Sequence, residues 1–327
     1  MRLLLELSME CESLARAEAL ATSLSLDAKS ELVHAEPGIV IVETGADPVI
    51  LASRLGLCHH VGEWMSTCSY AEVEAAASDL AVPGPIRVRS TKVGEVSVDL
   101  AAVSRRVGSV MGKGRGVDLR APKTDIRVVF SQKAHLSRLM ASVDRPAFER
   151  RKNRYLPFTY PASLHPKFAR AMVNLTMARP GQRILDPFCG TGAIVAETSL
   201  CGFRALGTDF SERMIEGAER NLAHISAGAA LTLCDVGAIK EKVGRVEGIA
   251  TDPPYGRSTS TDGEGIPDLY SRAFRAFSEV LGKGSRVVIV VPDMDLLHFA
   301  DRFRLTQKHE LWVHRSLTRN FCVLERT

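Results

Sequence analysis

The sequence contains no run of 18 consecutive apolar residues, although 45% of its 327 residues are hydrophobic. A transmembrane helix needs about 20 predominantly apolar residues, so we expect no membrane span and no membrane partner. The apolar segment Met1–Leu7 is interrupted by Glu6, which favours a β-strand over the apolar core of a signal peptide. A chain of this length and composition is instead expected to form two or three globular domains.

Closely spaced cysteine pairs are also absent. The seven cysteines are an odd number, and no two of them form a C-x-x-C pattern. Reduced thiols are typical of cytosolic proteins, so we expect a cytoplasmic protein without disulfides. Cys58, His59 and His60 together with Cys68 leave a zinc site open as a less favoured alternative, because no second pair of ligands accompanies them.

The glycine-containing loop at residues 186–192 matches neither of the two common phosphate-binding patterns. Residue 195 is valine where the dinucleotide pattern has its third glycine, and no Gly-Lys-Ser or Gly-Lys-Thr follows. The loop Asp-Pro-Phe-Cys-Gly-Thr-Gly instead joins a short apolar strand to a helix that begins near Ala193. Gly190 and Gly192 allow the backbone to approach a ligand, and the start of the helix offers unpaired N–H groups.

Four successive apolar segments, each typical of a buried strand, end in an acidic residue. These residues are Asp186, Asp209, Asp235 and Asp252. Because ligands of an open parallel sheet bind beyond the carboxyl ends of its strands, four acids at those ends predict one acidic crevice. Asp209 follows Asp186 by 23 residues, a spacing at which an acid binds a ribose diol. A helix N-cap, for which Ser211 competes, is the alternative for Asp209, and a solvated acid is the alternative for Asp235.

The most informative segment is Asp252-Pro253-Pro254-Tyr255, which follows the fourth apolar strand. The two prolines fix φ and have no N–H to donate, so the chain leaves the sheet in a stiff conformation with exposed carbonyl oxygens. A carboxylate, carbonyl oxygens and a flat ring are the groups needed to hold a planar amino group and stack on the ring that carries it. An ordinary turn at the end of a strand remains the alternative for the tetrapeptide alone.

Positive charge is concentrated in the middle of the chain. From Arg87 to Arg154 there are 17 Lys and Arg against 6 Asp and Glu, a net charge of +11, whereas the whole chain carries +4. This segment predicts a polyanion-binding surface, with a solvated basic face as the alternative. The candidate RNA-binding residues are Arg105, Arg106, Lys113, Arg115, Lys123, Arg151, Lys152 and Arg154.

These motifs resemble those of S-adenosylmethionine-dependent amino-methyltransferases. Asp-Pro-Pro-Tyr is similar to their catalytic motif, and Asp-Pro-Phe-Cys-Gly-Thr-Gly is similar to their methionine-binding loop. The basic middle segment, with Val117–Arg120 before the strand Asp125–Phe130, resembles the RNA-binding THUMP domain of tRNA-modifying enzymes. The whole chain resembles the archaeal and eukaryotic tRNA guanosine N2-methyltransferases that act at position 10. Asp252 fits that group better than the position-6 enzymes, which tend to have asparagine there.

The resemblance implies an α/β fold. Its C-terminal part is expected to be a Rossmann-like class I methyltransferase domain with a seven-stranded sheet in the order 3-2-1-4-5-7-6. α+β ferredoxin-like and THUMP domains are expected to precede it. The implied boundaries are residues 1–55 for the ferredoxin-like domain, 56–145 for the THUMP domain, 146–165 for a linker and 166–327 for the methyltransferase domain.

The resemblance also implies the role of each site residue. The implied catalytic residues are Asp252, Pro253, Pro254 and Tyr255. The implied S-adenosylmethionine-binding residues are Asp186, Pro187, Cys189, Gly190, Thr191, Gly192, Asp209, Phe210, Asp235, Val236 and His165. In this mechanism a flipped guanine presents its N2 amine to Asp252 and the Pro253 carbonyl, and no metal takes part. The polar stretch 256–265 is a candidate cover for the flipped base.

The implied partners are tRNA and, in many relatives, a small zinc-binding activator subunit. Three alternatives remain open: a tRNA guanosine-6 N2-methyltransferase, a DNA methyltransferase acting on adenine N6 or cytosine N4, and a tRNA-binding protein with an inactive methyltransferase domain. The chain has no recognisable target-recognition insertion, which disfavours the DNA enzyme. The intact acids and glycines disfavour the inactive protein.

Overall fold

A computed structural model describes residues 1–161, 163–255, 264–314 and 317–327 of the chain. The chain forms two compact units, each containing a seven-stranded sheet. The first unit comprises Met1–Ser53 and Cys58–Val143, and the second comprises Arg54–Leu57 and Asp144–Thr327. Among the residues described, none of the helices combines the length and apolar content that crossing a bilayer requires.

The first unit combines one mixed sheet with four helices among its described residues. In chain order the elements are β1 (Arg2–Leu7), α1 (Glu12–Leu26), β2 (Glu31–Glu36), β3 (Ile39–Glu43), α2 (Pro48–Arg54), β4 (Cys58–Cys68), α3 (Val73–Ser78), β5 (Ile86–Lys92), α4 (Leu100–Met111), β6 (Thr124–Phe130) and β7 (Ala134–Ser142). The strand order is β2-β3-β1-β4-β7-β6-β5. Only β5 and β6 pair in parallel; the other neighbouring pairs are antiparallel.

This sheet spans both predicted N-terminal domains. Leu4 of β1 pairs with Ile41 of β3 on one side and with Gly62 of β4 on the other, so hydrogen bonding continues across the boundary predicted at residues 55/56. Alternation identified the strands but could not show which of them pair, because β1 is 51 or more residues from its β4 partners in sequence. The subdivision of this unit into ferredoxin-like and THUMP domains stays a prediction.

The long segment of the second unit begins at Asp144, two residues before the expected linker of residues 146–165. Its elements are α5 (Arg145–Arg150), α6 (Pro166–Leu175), β8 (Arg183–Asp186), α7 (Ala193–Leu200), β9 (Arg204–Asp209), α8 (Glu212–His224), β10 (Ala230–Leu233), α9 (Ile239–Lys242), β11 (Val246–Thr251), α10 (Ile266–Val280), β12 (Leu281–Val291), β13 (Phe303–His314) and β14 (Leu317–Arg326). Asp144 caps α5 by accepting from the Ala147 N–H, which gives the expected linker a helical start.

The second sheet has the order β10-β9-β8-β11-β12-β14-β13. Counted from β8 as the first strand, this is 3-2-1-4-5-7-6, which confirms the expected Rossmann-like arrangement. The five strands from β10 to β12 are parallel, and β14 runs antiparallel to both β12 and β13.

Helices on the sheet explain why its central strands are apolar along their length. Phe274 and Phe277 of α10 are buried with Val287 and Ile289 of β12 in one cluster, while α6 packs on β11 and β12. Each fully buried side chain of this size contributes about 1.5–3 kcal/mol to stability. A rigid parallel sheet therefore holds the carboxyl ends of β8, β9 and β11 at one edge, where ligands of such sheets bind.

Candidate active site

A cavity lies where β8, β9 and β11 end. Ten of the residues expected in the site line it: Asp186, Cys189, Gly190, Thr191, Asp209, Phe210, Asp252, Pro253, Pro254 and Tyr255. Three of the four strand-end acids therefore meet, whereas the sequence predicted that all four would. The fourth, Asp235, is outside the cavity wall.

The loop after β8 is shaped by two glycines with positive φ. Gly190 has φ +48° and Gly192 has φ +86°, which is a conformation that other residues rarely adopt. A Cβ atom on Gly192 would also lie only 3.2 Å from the Cβ atom of Ala218 in α8. The loop thus turns tightly from β8 into α7, whose first N–H groups are available to an anionic group of a ligand.

Asp209 joins this loop to the loop after β9. Its carboxylate accepts hydrogen bonds from the Gly190 N–H at 3.0 Å and from the Ser211 N–H at 2.9 Å. Ser211, rather than Asp209, holds the N-cap position of α8. Burial raises the pKa of Asp209, and the two backbone hydrogen bonds oppose that rise.

Asp186 is more deeply buried, with 3% of its surface exposed. Its Oδ1 accepts hydrogen bonds from the Thr251 hydroxyl at 2.7 Å and from the Phe188 N–H at 3.2 Å. Burial raises the pKa of Asp186 to about 7, and the neighbouring charges of Asp252 and Asp209 add to that rise. An acidic cavity of this kind favours a ligand that carries positive charge.

Asp252 and Tyr255 line the part of the cavity that is formed by the segment after β11. The Tyr255 hydroxyl donates a hydrogen bond to Asp252 Oδ1 and accepts one from the Arg319 guanidinium. Burial raises the pKa of Asp252 to about 6, while the positive charge of Arg319 and the Tyr255 hydrogen bond limit the rise. The Tyr255 hydroxyl therefore both donates and accepts a hydrogen bond, which fixes the ring relative to the Asp252 carboxylate.

Arg319 interacts with Asp252 and Tyr255 and was not expected at the site from the sequence. It lies on β14, is 9% exposed, and approaches the Asp252 segment only because β14 pairs with β12 beside β11. No local motif surrounds it. Nine further wall residues were also not identified as site residues: Tyr160, Pro161, Ser163, Leu164, Phe188, Ala193, Ile194, Ser211 and Met214.

Three expected cofactor-binding residues lie outside the cavity wall. Asp235 forms an ion pair with Arg272, with Nη1–Oδ1 at 2.5 Å, and this partner lowers the pKa of Asp235. Val236 is buried in the core beside α10. His165 caps α6 by accepting from the Lys167 N–H, and its Nε2 is 3.2 Å from Glu149.

Pro187 and Gly192 belong to the loop after β8 without lining the cavity. The Pro187 carbonyl accepts a hydrogen bond from the Thr208 hydroxyl at 3.3 Å, which anchors the loop to β9. The direct cofactor contacts of these two residues, and those of Asp235, Val236 and His165, stay predictions.

The candidate RNA-binding residues of the first unit differ in their exposure and in their hydrogen bonds and ion pairs within the protein. Arg105, Lys113 and Lys123 are exposed. The Arg106 side chain, 58% exposed, forms an ion pair with Glu74. Arg115 donates to the Met111 carbonyl at 2.9 Å. The role of all five in RNA binding stays a prediction.

Those of the second unit are largely engaged within the protein. Arg151 donates two hydrogen bonds to the buried Glu197, at 2.7 and 3.2 Å, and only 16% of its side chain is exposed. Lys152 forms an ion pair with Glu149. Arg154 is exposed and stacks on the Tyr155 ring, with 4.6 Å from its Cζ to the ring centre. Arg154 is therefore the exposed residue of the three, and the role of all three in RNA binding stays a prediction.

The alternative zinc site at Cys58, His59, His60 and Cys68 is wrong. Cys58 and Cys68 lie at opposite ends of the 11-residue strand β4, which places them roughly 30 Å apart at the usual rise per residue. One ion cannot bind both. The Cys58 thiol instead donates to the Glu6 carbonyl at 3.2 Å. The candidate cover at 256–265 lies, from 256 to 263, outside the described residues.

The cavity fits S-adenosylmethionine on the chemistry of its walls. Asp186 and Asp209 supply acceptors for an ammonium group and ribose hydroxyls, and the loop at Gly190 leads to the free N–H groups of α7. Phe210 lines the cavity with 44% of its surface exposed, which leaves a flat apolar face for a purine ring to cover.

Comparison with known proteins agrees with this site. Residues 153–320 match the family model described as RMKL-like, methyltransferase domain (UPF0020). The chain is 32% identical to the tRNA (guanine(10)-N2)-dimethyltransferase of Methanothermobacter thermautotrophicus over 343 positions, which cover all of both chains. It is 31% identical to the enzyme of the same name from Pyrococcus abyssi, over 89% of this chain and 90% of the relative.

Among solved structures, TrmN from Thermus thermophilus superposes with a TM-score of 0.58 at 25% identity and covers the whole of both chains. The cavity, the sheet order and these matches lead to the same assignment. The chain belongs to the UPF0020 methyltransferase family and, within it, to the tRNA (guanine-N2) methyltransferases.

Proposed function

We propose that this chain methylates the exocyclic N2 atom of guanosine 10 in tRNA, with S-adenosylmethionine as the methyl donor. One observation carries the proposal: Asp252-Pro253-Pro254-Tyr255 and the glycine loop at residues 186–192 contribute walls to a single cavity. A donor bound at the loop and a base held at the tetrapeptide would meet there. Positioning two reactants in this way can supply about 7–11 kcal/mol of the barrier.

When bound, S-adenosylmethionine supplies an electrophilic methyl group on a positively charged sulfur. Asp186 and Asp209 offer carboxylates to the positively charged and hydroxyl-bearing parts of this donor. Burial raises the pKa of both carboxyl groups, and the charges of Asp252 and Asp209 add to the rise for Asp186. A cationic ligand stabilises the ionised carboxylates, so these residues favour the positively charged donor over a neutral product.

The acceptor amine needs activation, because the lone pair of guanine N2 is delocalised into the ring. Asp252 Oδ1 already accepts from Tyr255, which leaves Oδ2 as the acceptor for one N2–H bond. The Pro253 carbonyl accepts the second. Two acceptors on one face of the amine pyramidalise the nitrogen, which takes its lone pair out of conjugation with the ring and directs it toward the methyl group. Asp252 then takes the proton that the methylated nitrogen loses.

Tyr255 provides the stacking surface for the guanine ring. Its hydroxyl is held between Asp252 and Arg319, so the ring does not reorient when a base arrives. A stem nucleotide must leave its stack to reach the cavity, at a cost of a few kcal/mol. Binding energy from the rest of the tRNA offsets this cost, and the exposed Arg105, Lys113 and Lys123 make the first unit a candidate THUMP domain for that contact.

We extend the proposal to two successive methyl transfers. The relatives from Methanothermobacter thermautotrophicus and Pyrococcus abyssi, which match 100% and 89% of this chain, are named dimethyltransferases. After the first transfer N2 still carries one hydrogen, for which Asp252 can act as acceptor.

We also propose that the protein works in the cytoplasm, because none of its seven cysteines, all within the described residues, forms a disulfide. A small zinc-binding activator subunit is the partner that we propose in addition to tRNA. Co-purification of such a subunit, with a larger complex by light scattering, would test the partner.

The function is tested with tRNA transcripts that differ at one nucleotide. We expect methyl incorporation into a tRNA with G10, none into the same tRNA with A10, and none into DNA. Nucleoside mass spectrometry should give N2,N2-dimethylguanosine, and fragment mapping should place it at position 10. Methylation that moves to G6 would identify the position-6 reaction instead. Binding of tRNA and donor without turnover would identify an inactive methyltransferase domain.

Asp252→Asn is the matched inactive control, because it keeps the shape of the side chain and removes its charge. We expect its turnover to fall by about 10²- to 10⁴-fold while tRNA and S-adenosylmethionine still bind. Equal loss of turnover and of both binding steps would show that Asp252 is structural and would contradict the proposed role.

A further inference from the structure

A second cluster with ligand chemistry lies in the first unit, where the β2–β3 and β6–β7 turns meet. His34 Nε2 is 3.0 Å from Glu36 Oε2, and His135 Nε2 is 2.8 Å from Glu36 Oε1. All three ligand atoms lie within 4.8 Å of one another. Among the residues the structure describes, no other set of three His, Cys, Asp or Glu comes this close.

The two turns are brought together by the curvature of the sheet. β2 and β7 are not neighbours in the strand order, since β3, β1 and β4 lie between them. The Ser131 hydroxyl nevertheless donates to the Pro37 carbonyl at 2.7 Å, so the tips of the two hairpins are in direct contact. Glu36 and His135 are next to these tips, on opposite sides of the contact.

The Glu36 carboxylate is held in one orientation by the backbone. Its Oε1 accepts hydrogen bonds from the Gln132 N–H at 3.0 Å and the Lys133 N–H at 3.3 Å. Glu36 is 4% exposed and His135 is not exposed at all. The side chain of His34 is 38% exposed, so the cluster has two fixed members and one member at an opening to solvent.

His135 is oriented from behind in the way that metal-bound histidines are. Its Nδ1 is 2.9 Å from the Thr67 hydroxyl, which in turn accepts a hydrogen bond from Trp64 Nε1 at 2.9 Å. The Thr67 oxygen can also accept from an Nδ1–H group, which leaves the Nε2 lone pair of His135 free for a metal. Such outer partners fix the ring and the tautomer of a ligand.

We propose that His34, Glu36 and His135 bind one divalent transition-metal ion, with Zn²⁺ as the ion that best suits two imidazoles and a carboxylate. A water completes four ligands, as in other His₂Glu zinc sites. At metal–ligand distances of about 2.0–2.1 Å, tetrahedral ligand atoms are about 3.3 Å apart. The present spacings of 2.8 and 3.0 Å therefore need to open by a few tenths of an ångström. The partly exposed His34 can move away from Glu36 by that amount, and the buried pair of Glu36 and His135 must separate as well.

The ion would link two hairpins that are distant in the sheet, so its effect would be seen in the bound metal and in the thermal stability of the protein. It has no part in methyl transfer. In the metal-free protein the same three residues form a hydrogen-bonded group in which both imidazoles donate to Glu36. Metal binding replaces those two bonds by coordination, and each neutral imidazole then carries its proton on Nδ1 instead of Nε2.

The test uses the untagged full-length chain, stripped of metal by a chelator. After dialysis against Zn²⁺, elemental analysis should find one ion per chain. Co²⁺ should bind in the same place and give the visible absorption bands of a tetrahedral complex. Thermal unfolding should shift to higher temperature when Zn²⁺ is added.

His34→Ala is the decisive variant, because its side chain is partly exposed and the fold does not depend on it. We expect its Zn²⁺ affinity to fall by about a hundredfold or more and the Co²⁺ bands to disappear, since even an outer partner of a zinc ligand contributes about 10- to 100-fold. His224→Ala, which removes an exposed histidine from α8, is the matched control and should behave like the parent.

Absence of a bound ion in the parent protein would overturn the proposal. So would a His34→Ala variant that binds Zn²⁺ with unchanged affinity and gives the same Co²⁺ spectrum. Methyl transfer measured on all three proteins would show that each variant is folded.

Discussion

Turnover should depend on the ionisation of a single carboxyl group, that of Asp252. Burial raises its pKa to about 6, so this residue changes charge within a pH range that the assay can cover. Only the ionised form can accept both an N2–H bond and, later, the proton. Protonation therefore removes the acceptor that activates the amine, and activity should fall as the pH drops below 6.

The size of the effect follows from the pKa. At pH 5 about one tenth of Asp252 is ionised, and at pH 7 about nine tenths is, so turnover should fall about tenfold for each pH unit below 6. Asp186, with a pKa of about 7 in the cofactor-free protein, titrates nearby and affects donor binding. The assay should therefore measure kcat at saturating S-adenosylmethionine, because kcat then reports the group in the bound complex.

Substitution of Arg319 distinguishes this explanation from a loss of activity caused by acid denaturation. Its positive charge lowers the pKa of Asp252, so Arg319→Met should move the acid limb of the kcat profile to higher pH. Arg319→Lys keeps the charge and should leave the limb closer to that of the parent. Tyr255→Phe removes the hydrogen bond to Asp252 and should also move the limb upward.

Two results would refute this reasoning. A kcat that stays constant between pH 5 and pH 8 would show that the ionisation of Asp252 does not limit turnover. An Arg319→Met variant with reduced kcat and an unmoved acid limb would show that Arg319 acts only through packing.

Three further predictions follow from the site and the basic surface. Asp186→Asn should raise the melting temperature of the cofactor-free protein at pH 7.5 and weaken donor binding. With a folded-state pKa of about 7 against an ordinary 3.8, the stability linked to Asp186 is present at low pH and lost as the pH rises through 7, a difference of up to about 4 kcal/mol; a lower melting temperature would contradict this. Asp209→Asn should weaken S-adenosylmethionine binding in calorimetry and leave tRNA affinity unchanged; equal loss of both would mean that the two loops it joins support the whole unit. Arg105→Ala with Lys113→Ala should reduce the slope of log affinity against log salt by about 2, whereas the control Lys29→Ala, which removes another exposed cation, should not; equal slopes would remove RNA binding from this surface.

The part of the site that could be predicted from the sequence is local. Asp186, Asp209 and Asp252 each end a strand, and strands of a parallel sheet bring their carboxyl ends to one edge whatever the rest of the chain does. The glycines at 190 and 192 are needed where they stand because φ is positive there. These features depend on a few neighbouring residues, so a short stretch of sequence contains them.

The contacts that sequence reasoning missed join residues that are distant along the chain. Arg319 forms a hydrogen bond with Tyr255, which lies 64 residues earlier in the sequence. Arg272 forms an ion pair with Asp235, which lies 37 residues earlier. Glu197 forms an ion pair with Arg151, which the local excess of positive charge predicted to bind RNA. Each of these partners is an ordinary charged residue in an ordinary element, and only the packing decides which charges meet.

The sequence by itself determined the order of elements in the second unit, the strand ends that carry acids and the tetrapeptide at residues 252–255. Periodicity, prolines and glycines act within about ten residues, so they are visible without a structure. Only the tertiary structure decided that β1 joins the two predicted N-terminal domains in one sheet, that Asp235 faces Arg272, and that His34 meets His135 across two hairpin tips. Those outcomes depend on how a sheet curves and which distant side chains come within a few ångströms, and no local pattern records that.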